Sequence, residues 1–379
     1  MGRKSFIVTI IVGMLVSGCG EDNSDETTKF NLGESLFNDK KLSANKTMSC
    51  ATCHNIKEGF IDPRATSKIG ASLGDDNTSL GDRNTPTAGY ASFSPDFHFD
   101  TEEGLFIGGQ FLDGRALNLK EQAKAPFLNP IEMGMPDEGS VISVIQENED
   151  YVNQFKTLYG ADIFDDTTKA YDALADVISE FEKSTVFASF DSKYDRFLAG
   201  SEVLTPEEER GLSLFSDESD TPGAGRCTLC HPITKDDGSS PLMTDFSYDN
   251  LGVPVNIALR TANGQAGNLD EGLYANPAVN DISLKGAFKV SSLRNIAVTS
   301  PYMHNGVFKD LKTVIHFYNS RDVDGALNPE TSSAWEPGEF HSGRNVDELG
   351  NLGLSDEDEN DIVSFLKTLT DRRYEHLLP

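Results

Sequence analysis

The sequence is poor in basic residues, in tryptophan and in cysteine. It has 32 lysines and arginines against 61 aspartates and glutamates, one tryptophan and five cysteines in 379 residues. A formal net charge of −29 excludes a nucleic-acid-binding function and would repel anionic lipid. Such acidity favours a cationic or weakly charged redox partner, or a saline habitat. The length suggests two domains.

The chain also lacks an apolar run long enough for a normal membrane span. The run from Phe6 to Val16 follows two basic residues and is typical of a secretory signal. It ends in LVSGC, which resembles a bacterial lipobox. We predict a lipoprotein signal peptide at 1–18, lipidation of Cys19, a flexible tether at 19–29 and a lipid-anchored position on the periplasmic or cell-surface face of a bacterial membrane. The alternative is an ordinary signal peptide with an unmodified Cys19.

The other four cysteines lie in two copies of one short motif, CATCH at 50–54 and CTLCH at 227–231. In each copy, two thiols three positions apart can add to the two vinyl groups of one porphyrin, and the adjacent histidine can bind its iron. A single copy could be a redox or zinc pair, but two complete copies predict two covalently bound haems c. The predicted haem-binding residues are Cys50, Cys53 and His54, and Cys227, Cys230 and His231.

An internal repeat indicates two similar halves. GESLF begins at Gly33 and GLSLF begins at Gly211, 17 and 16 residues before the first cysteine of each haem motif. A short amphipathic helix that leads into a haem loop is the opening of a cytochrome c fold. We therefore predict a mainly α fold with long loops and little strand. It would consist of two cytochrome c-like domains, 30–198 and 199–379, each wrapping one haem.

The N-termini of two helices can be predicted from the sequence. Thr205 with Glu208, and Ser355 with Asp358, have the spacing of a capping box. Further helices are predicted over about 139–159 and 167–188.

Six other motifs occur in an order that is characteristic of one family. They are RNTPT at 83–87, FLDGRA at 111–116, LKEQA at 119–123, NPIEMG at 129–134, FKVSSLRN at 288–295 and TSPYMHNG at 299–306. With the two haem motifs, they resemble the bacterial dihaem cytochrome c peroxidase superfamily, which includes MauG, over roughly residues 30–370.

The resemblance implies that hydrogen peroxide is reduced at the N-terminal haem, with electrons relayed through the C-terminal haem from a small cytochrome or cupredoxin. Two alternatives remain open. One is a MauG-like oxidation of a protein or small substrate, and the other is an electron-transfer cytochrome without turnover. An open iron coordination site separates the two enzymatic functions from the carrier. A homodimer is a further expectation.

The resemblance also implies site residues. It assigns Gln122 and Glu132 to the distal pocket of the N-terminal haem, where a carboxylate in a partly dry pocket can move a proton between the peroxide oxygens. It implies one calcium ion held by Asn84 and by backbone oxygens of Thr299 and Pro301, and oxygen ligands suit this hard cation.

The sequence departs from the family pattern in its first domain. Ala71 occupies the place of a histidine that usually blocks the N-terminal iron, so we expect peroxide to enter without prior reduction. His98 is the remaining histidine in that domain that could replace it. Leu112 stands where the family usually has a tryptophan between the haems, and the single tryptophan is Trp335.

A third departure concerns the C-terminal iron. Its usual methionine ligand is replaced by Tyr318, as in MauG, and we predict Tyr318 as the axial ligand. Met303 and His316 are the competing candidates. Because His316 and Tyr318 are two residues apart on a predicted helix, only one of them can face the iron.

Overall fold

The computed structural model describes residues 23–64, 69–234 and 239–379. Regular structure in these ranges is mainly helical, and the short strands form three separate antiparallel pairs, β1–β2, β3–β4 and β5–β6. The helices are α1 Asn23–Asn38, α2 Cys50–Cys53, α3 Leu119–Leu128, α4 Glu138–Gln146, α5 Glu149–Tyr159, α6 Thr167–Glu182, α7 Lys193–Leu198, α8 Pro206–Ser216, α9 Ile257–Ala262, α10 Leu311–Ser320 and α11 Asp356–Lys367. The strands are β1 His98–Asp100, β2 Leu105–Ile107, β3 Tyr248–Asp249, β4 Phe288–Lys289, β5 Leu327–Asn328 and β6 Ser333–Ala334. The predicted fold class is confirmed.

The predicted signal peptide at 1–18 and the lipidation site Cys19 lie outside the described residues. Helix α1 begins at Asn23, so residues 23–29 of the predicted tether are helical. The sequence placed this start too late because polarity alone does not distinguish a linker from the first turns of a surface helix. Within the described ranges, none of the helices has the length and apolarity that crossing a membrane requires.

The first hydrophobic core is built on the crossing of α1 and α6. Apolar side chains of α6 recur every three or four residues and are buried, as at Ala170, Leu174, Val177 and Phe181. Gly33 of α1 lies against this stripe, where a Cβ atom would stand only 2.0 Å from the carbonyl oxygen of Val177. Glycine is therefore required for the two backbones to approach this closely.

The second core repeats this arrangement with α8 and α11. A Cβ atom on Gly211 of α8 would stand 1.9 Å from the carbonyl oxygen of Asp361 in α11. Phe215 and Phe365 are buried at the same crossing, with ring centroids 5.1 Å apart. The repeated glycine that marked both halves of the sequence is thus the contact point of a helix pair in each half. The predicted capping boxes at the starts of α8 and α11 are both present.

Two of the predicted helices have different bounds. The segment 139–159 forms two helices rather than one, because the Asn148 side chain accepts hydrogen bonds from the N–H groups of Asp150 and Tyr151 and starts a new helix. The apolar periodicity continues across this short break and concealed it. The helix predicted over 167–188 ends at Glu182, and Phe187 is buried beyond its end, stacked on Phe60.

Hydrogen bonds and a small apolar cluster of Tyr90, Ala188 and Leu242 join the two cores. The boundary between the two hydrophobic clusters falls between Phe187 and Tyr194. Tyr374, near the end of the chain, donates from its hydroxyl group to the carbonyl oxygen of Ile56 in the first haem loop at 2.7 Å. Asn256 donates to the carbonyl oxygen of Ile69 at 2.9 Å. The division into domains at residue 198 stays a prediction.

Candidate haem centres

The first haem motif forms a single helical turn, α2. Ser49 precedes the turn, and its N–H donates to the Thr52 hydroxyl oxygen at 2.9 Å. The chain then reverses, so that His54 Nδ1 lies 3.2 Å from the carbonyl oxygen of Phe60. This contact occupies Nδ1 and leaves Nε2 for a metal ion, the usual way in which a backbone carbonyl fixes a metal-binding histidine.

The second motif has the same design. Cys227 to Leu229 form a 3-10 turn, and His231 Nδ1 lies 2.7 Å from the carbonyl oxygen of Met243. Burial lowers the pKa of both His54 and His231, which favours the neutral form that binds iron. Paired thiols, an oriented neutral histidine and an adjoining cavity fit a covalently bound haem in each half.

The first cavity, of about 960 Å³, brings the predicted peroxide residues to the first haem motif. It is lined by Cys50, Cys53 and His54 and also by Gln122 and Glu132. Gln122 projects from α3, and Glu132 lies in the loop that follows this helix. Burial raises the pKa of Glu132, and the positive charge of Arg115 opposes this effect only in part. A carboxyl group whose pKa is raised keeps its proton to higher pH than an exposed glutamate, which suits it to proton transfer.

The structure places no second histidine in the part of this cavity that is described. Ala71 is buried, and its neighbour Gly70 packs against Gly306 of the second half, where a Cβ atom would stand 2.8 Å from a carbonyl oxygen. Residues 67 and 68 of the same segment lie outside the described ranges. His98 is exposed on β1, with Nδ1 2.8 Å from the carbonyl oxygen of Asp96, and does not line the cavity. The position of His98 therefore does not support it as the histidine that blocks the first iron in place of Ala71.

The second cavity, of about 320 Å³, separates the three candidates for the axial ligand. It is lined by Tyr318 and Met303 together with Cys227, Cys230 and His231. The Tyr318 hydroxyl group lies 4.0 Å from Met303 Sδ, and burial raises the pKa of this tyrosine. His316 turns away from the cavity, with Nδ1 2.7 Å from Glu359 Oε1. The geometry favours Tyr318 over His316 and leaves Met303 beside it.

The residues predicted to hold calcium lie together at the wall of the second cavity. The side-chain amide of Asn84 lies 2.6 Å from the carbonyl oxygen of Pro301, and Thr299 is close by along the chain. Leu112 lines both cavities and thus stands between the two haem sites, as its alignment implied. Trp335 lines neither cavity, and its indole N–H donates to the Ser320 hydroxyl group at 3.1 Å.

Two buried ionisable residues escaped the sequence analysis. Glu182, at the end of α6, lines the first cavity, and burial raises its pKa to about 8. Its Oε2 atom has no hydrogen-bond partner among the described residues. Lys289 lines the second cavity, donates to the carbonyl oxygen of Gly109 at 2.7 Å, and has its pKa lowered to about 8 by burial. An acid on the apolar stripe of α6 was the available signal for Glu182.

The fold and the two cavities define a dihaem c-type protein, and comparison with known proteins places it among them. The family model for di-haem cytochrome c peroxidase matches residues 27–203. The chain is 46% identical over 354 residues to the methylamine utilization protein MauG of Paracoccus denitrificans. This match covers 92% of the chain and 89% of that protein. It is 30% identical to cytochrome c551 peroxidase of Nitrosomonas europaea, over 92% of this chain and 81% of that protein.

Among solved structures, the chain resembles the diheme peroxidase BthA from Burkholderia thailandensis. The TM-score is 0.80 at 29% identity, and the match covers 93% of this chain and 88% of that one. The protein belongs to the dihaem cytochrome c peroxidase and MauG family. It is therefore a haem oxidoreductase, and membership implies two haems c.

Proposed function

We propose that this protein reduces hydrogen peroxide at the haem held by Cys50, Cys53 and His54. Electrons reach it from a protein donor through the haem of the second motif. The observation that carries the proposal is the shared cavity of His54, Gln122 and Glu132, in which His54 is the only histidine among the described lining residues. An iron bound through His54 would keep its opposite face open to peroxide.

The chain's own residues supply the proton chemistry. A bound haem supplies the iron and the electrons for cleavage of the O–O bond. Glu132 can take the proton from the inner peroxide oxygen and deliver it to the outer one, which then leaves as water. A raised pKa suits Glu132 to both halves of this transfer. The Gln122 amide can hold the inner oxygen by a hydrogen bond without exchanging a proton.

A second candidate function is favoured by the other cavity. Tyr318 of α10 lines the second cavity together with the second haem motif, at the position where the family usually has a methionine. A phenolate ligand stabilises ferric iron and so disfavours the half-reduced state of an ordinary peroxidase. This supports a MauG-like use of the oxidising equivalents on a protein or small substrate, in line with the 46% identity to MauG.

Absorption and EPR spectra of the all-ferric protein, before and after one equivalent of peroxide, test the proposal. We expect one high-spin or water-bound haem and one low-spin haem, and an immediate spectral change on adding peroxide. Two low-spin haems that ignore peroxide until an electron is added would contradict an open first site. Two low-spin haems that never respond would identify an electron-transfer cytochrome. Turnover of a reduced small cytochrome or cupredoxin then separates peroxide reduction from substrate oxidation.

Calcium binding and membrane anchoring are further proposals. The common position of Asn84, Thr299 and Pro301 at the wall of the second cavity supports a calcium ion held by these three residues, and a chelator should then alter the EPR signal of the second haem reversibly. The lipobox-like end of the apolar run supports a lipid on Cys19 and a periplasmic or cell-surface location. Labelled palmitate should enter the wild type but not a Cys19→Ala variant.

A further inference from the structure

Three tyrosines line the second cavity in the part of the chain that is described, Tyr90, Tyr302 and Tyr318. Their hydroxyl groups have different partners. Tyr318 faces a thioether sulfur at 4.0 Å, and Tyr302 donates to the carbonyl oxygen of Ile296 at 3.1 Å. Tyr90 donates to a carboxylate, with Asp371 Oδ1 2.7 Å away. Of these three phenols, Tyr90 is the one that has a base within proton-transfer distance.

The Tyr90–Asp371 pair is enclosed and held in a fixed geometry. Tyr90 is 2% exposed and Asp371 is 1% exposed. Asn295 donates from its side chain to Asp371 Oδ2 at 2.9 Å and accepts from the Asp371 N–H at 2.8 Å. The N–H of Phe190 donates to the Tyr90 hydroxyl oxygen at 3.0 Å. The carboxylate therefore cannot turn away from the phenol without breaking several buried hydrogen bonds.

The partner of a phenol decides whether it can be oxidised. Loss of an electron makes the phenol strongly acidic, so oxidation is accessible only when a nearby group can take the proton. A backbone carbonyl, the partner of Tyr302, is too weak a base, whereas a carboxylate accepts a proton readily. Burial raises the pKa of Tyr90, so this phenol keeps its proton until an electron is withdrawn.

Tyr90 also lies next to the wall that separates the two cavities. Its neighbour Ala91 lines both cavities, while Ala88 lines the first and Gly89 the second. An electron that leaves Tyr90 thus has a haem site close by in either half.

We propose that Tyr90 is a redox-active tyrosine that gives one electron to an oxidised haem while its proton moves to Asp371. The step rests on the proposed function, because hydrogen peroxide must first oxidise a haem above the ferric state. The Tyr90 O–H bond breaks, the proton bonds to Asp371 Oδ1, the haem is reduced by one equivalent, and a neutral tyrosyl radical remains. An electron from the protein donor and return of the proton restore the phenol.

Freeze-quenched EPR of the dihaem protein, mixed with one equivalent of hydrogen peroxide, tests this step. We expect a tyrosyl signal whose splitting narrows in protein labelled with deuterated tyrosine. Tyr90→Phe and Asp371→Asn should each lower this signal at least tenfold, since asparagine keeps an acceptor oxygen but is not a base. Tyr302→Phe is the matched control, because it removes a buried hydroxyl group from the same cavity, and it should retain the signal.

Haem absorption recorded on the same samples separates this inference from the proposed function. If the haem bands of the wild type do not respond to peroxide, the proposed function fails and the inference fails with it. If the bands respond, a missing tyrosyl signal, a signal that survives in Tyr90→Phe or Asp371→Asn, or equal loss in Tyr302→Phe overturns the inference alone. Should Tyr90→Phe fail to bind both haems, 3,5-difluorotyrosine at position 90 replaces it. Fluorine splitting of the signal then supports the proposal, and an unaltered signal overturns it.

Discussion

The two halves of the molecule hold the histidine of their haem motif in the same way but line the adjoining cavity with different side chains. Each half crosses two helices at a glycine, Gly33 or Gly211, and each ties the Nδ1 atom of its haem-motif histidine to a backbone carbonyl. The first cavity is also lined by Gln122 and Glu132, whereas the second is also lined by Tyr318 and Met303. The histidine–carbonyl contacts common to both halves would orient the iron ligand in the same way. The different side chains that line the two cavities would then decide the reactivity of each iron.

Under the proposed function, one fold provides a site that is open to peroxide and a site that Tyr318 closes. In the first half, a loop places a carboxyl group beside the cavity and leaves room of about 960 Å³. In the second half, α10 contributes the phenol of Tyr318 to the cavity lining, and the cavity volume is about 320 Å³. Single substitutions in the first or the second cavity test this difference.

The largest effect is expected at the open site. Glu132→Gln should leave both haems bound but slow the reaction with peroxide by about 10²–10⁴-fold, which is the usual contribution of a positioned acid–base group. Stopped-flow absorption of the all-ferric protein measures this rate. Gln122→Ala should have a smaller effect, and Glu121→Gln, an exposed neighbour on the same helix, should have none. An unaltered rate in Glu132→Gln would remove the proton-transfer assignment.

The next largest effect is expected at the closed site. Tyr318→Phe should change the low-spin spectrum and raise the potential of the second haem, on the order of 0.1 V, because a negative phenolate would be lost. Redox titration followed by absorption and EPR measures both changes. His316→Ala removes a residue that pairs with Glu359 outside the cavity, so both signals should stay as in the wild type. The reverse pattern would assign the iron to His316.

The likeness of the two halves is tested at the helix crossings. Gly33→Ala and Gly211→Ala should each lower the free energy of unfolding by about 1–3 kcal/mol, because a methyl group would press on a backbone oxygen. Thermal unfolding followed by haem absorption measures the loss. Gly139→Ala is the control, since its Cβ atom would meet nothing closer than 3.4 Å, and it should be neutral or stabilising by up to about 1 kcal/mol. Equal Tm values for all three variants would refute the close-packing argument.

The smallest effect is expected for Glu182, which lines the first cavity but not the second. Burial raises the pKa of Glu182 to about 8 in the folded protein, against about 4.3 for glutamate in an unfolded chain. Between these values the unfolded chain is ionised while the folded protein keeps its proton, so stability falls as the pH rises. Glu182→Gln removes this slope and should raise Tm by ~2 °C or more at pH 7, with no gain at pH 4. A gain of the same size at both pH values would show that ionisation is not its cause.

The sequence could predict features that depend on local chemistry. The two haem motifs and the caps at Thr205 and Ser355 were legible, because each rests on residues a few positions apart. The break at Asn148 was missed, since a cap inside a continuous apolar pattern resembles an ordinary surface asparagine. Periodicity showed that His316 and Tyr318 face opposite sides of α10, but only the packing of α10 on the second cavity shows which side faces inward.

The long-range contact between Tyr374 and Ile56 bears on the order in which the protein matures. These residues are 318 positions apart, and closing such a long loop is entropically costly and therefore late. The contacts that orient the two haem-motif histidines are local in both halves, since His54 and Phe60 are 6 positions apart and His231 and Met243 are 12 positions apart. The first haem loop, although it is translated first, can therefore gain this one contact only after residue 374 has been synthesised.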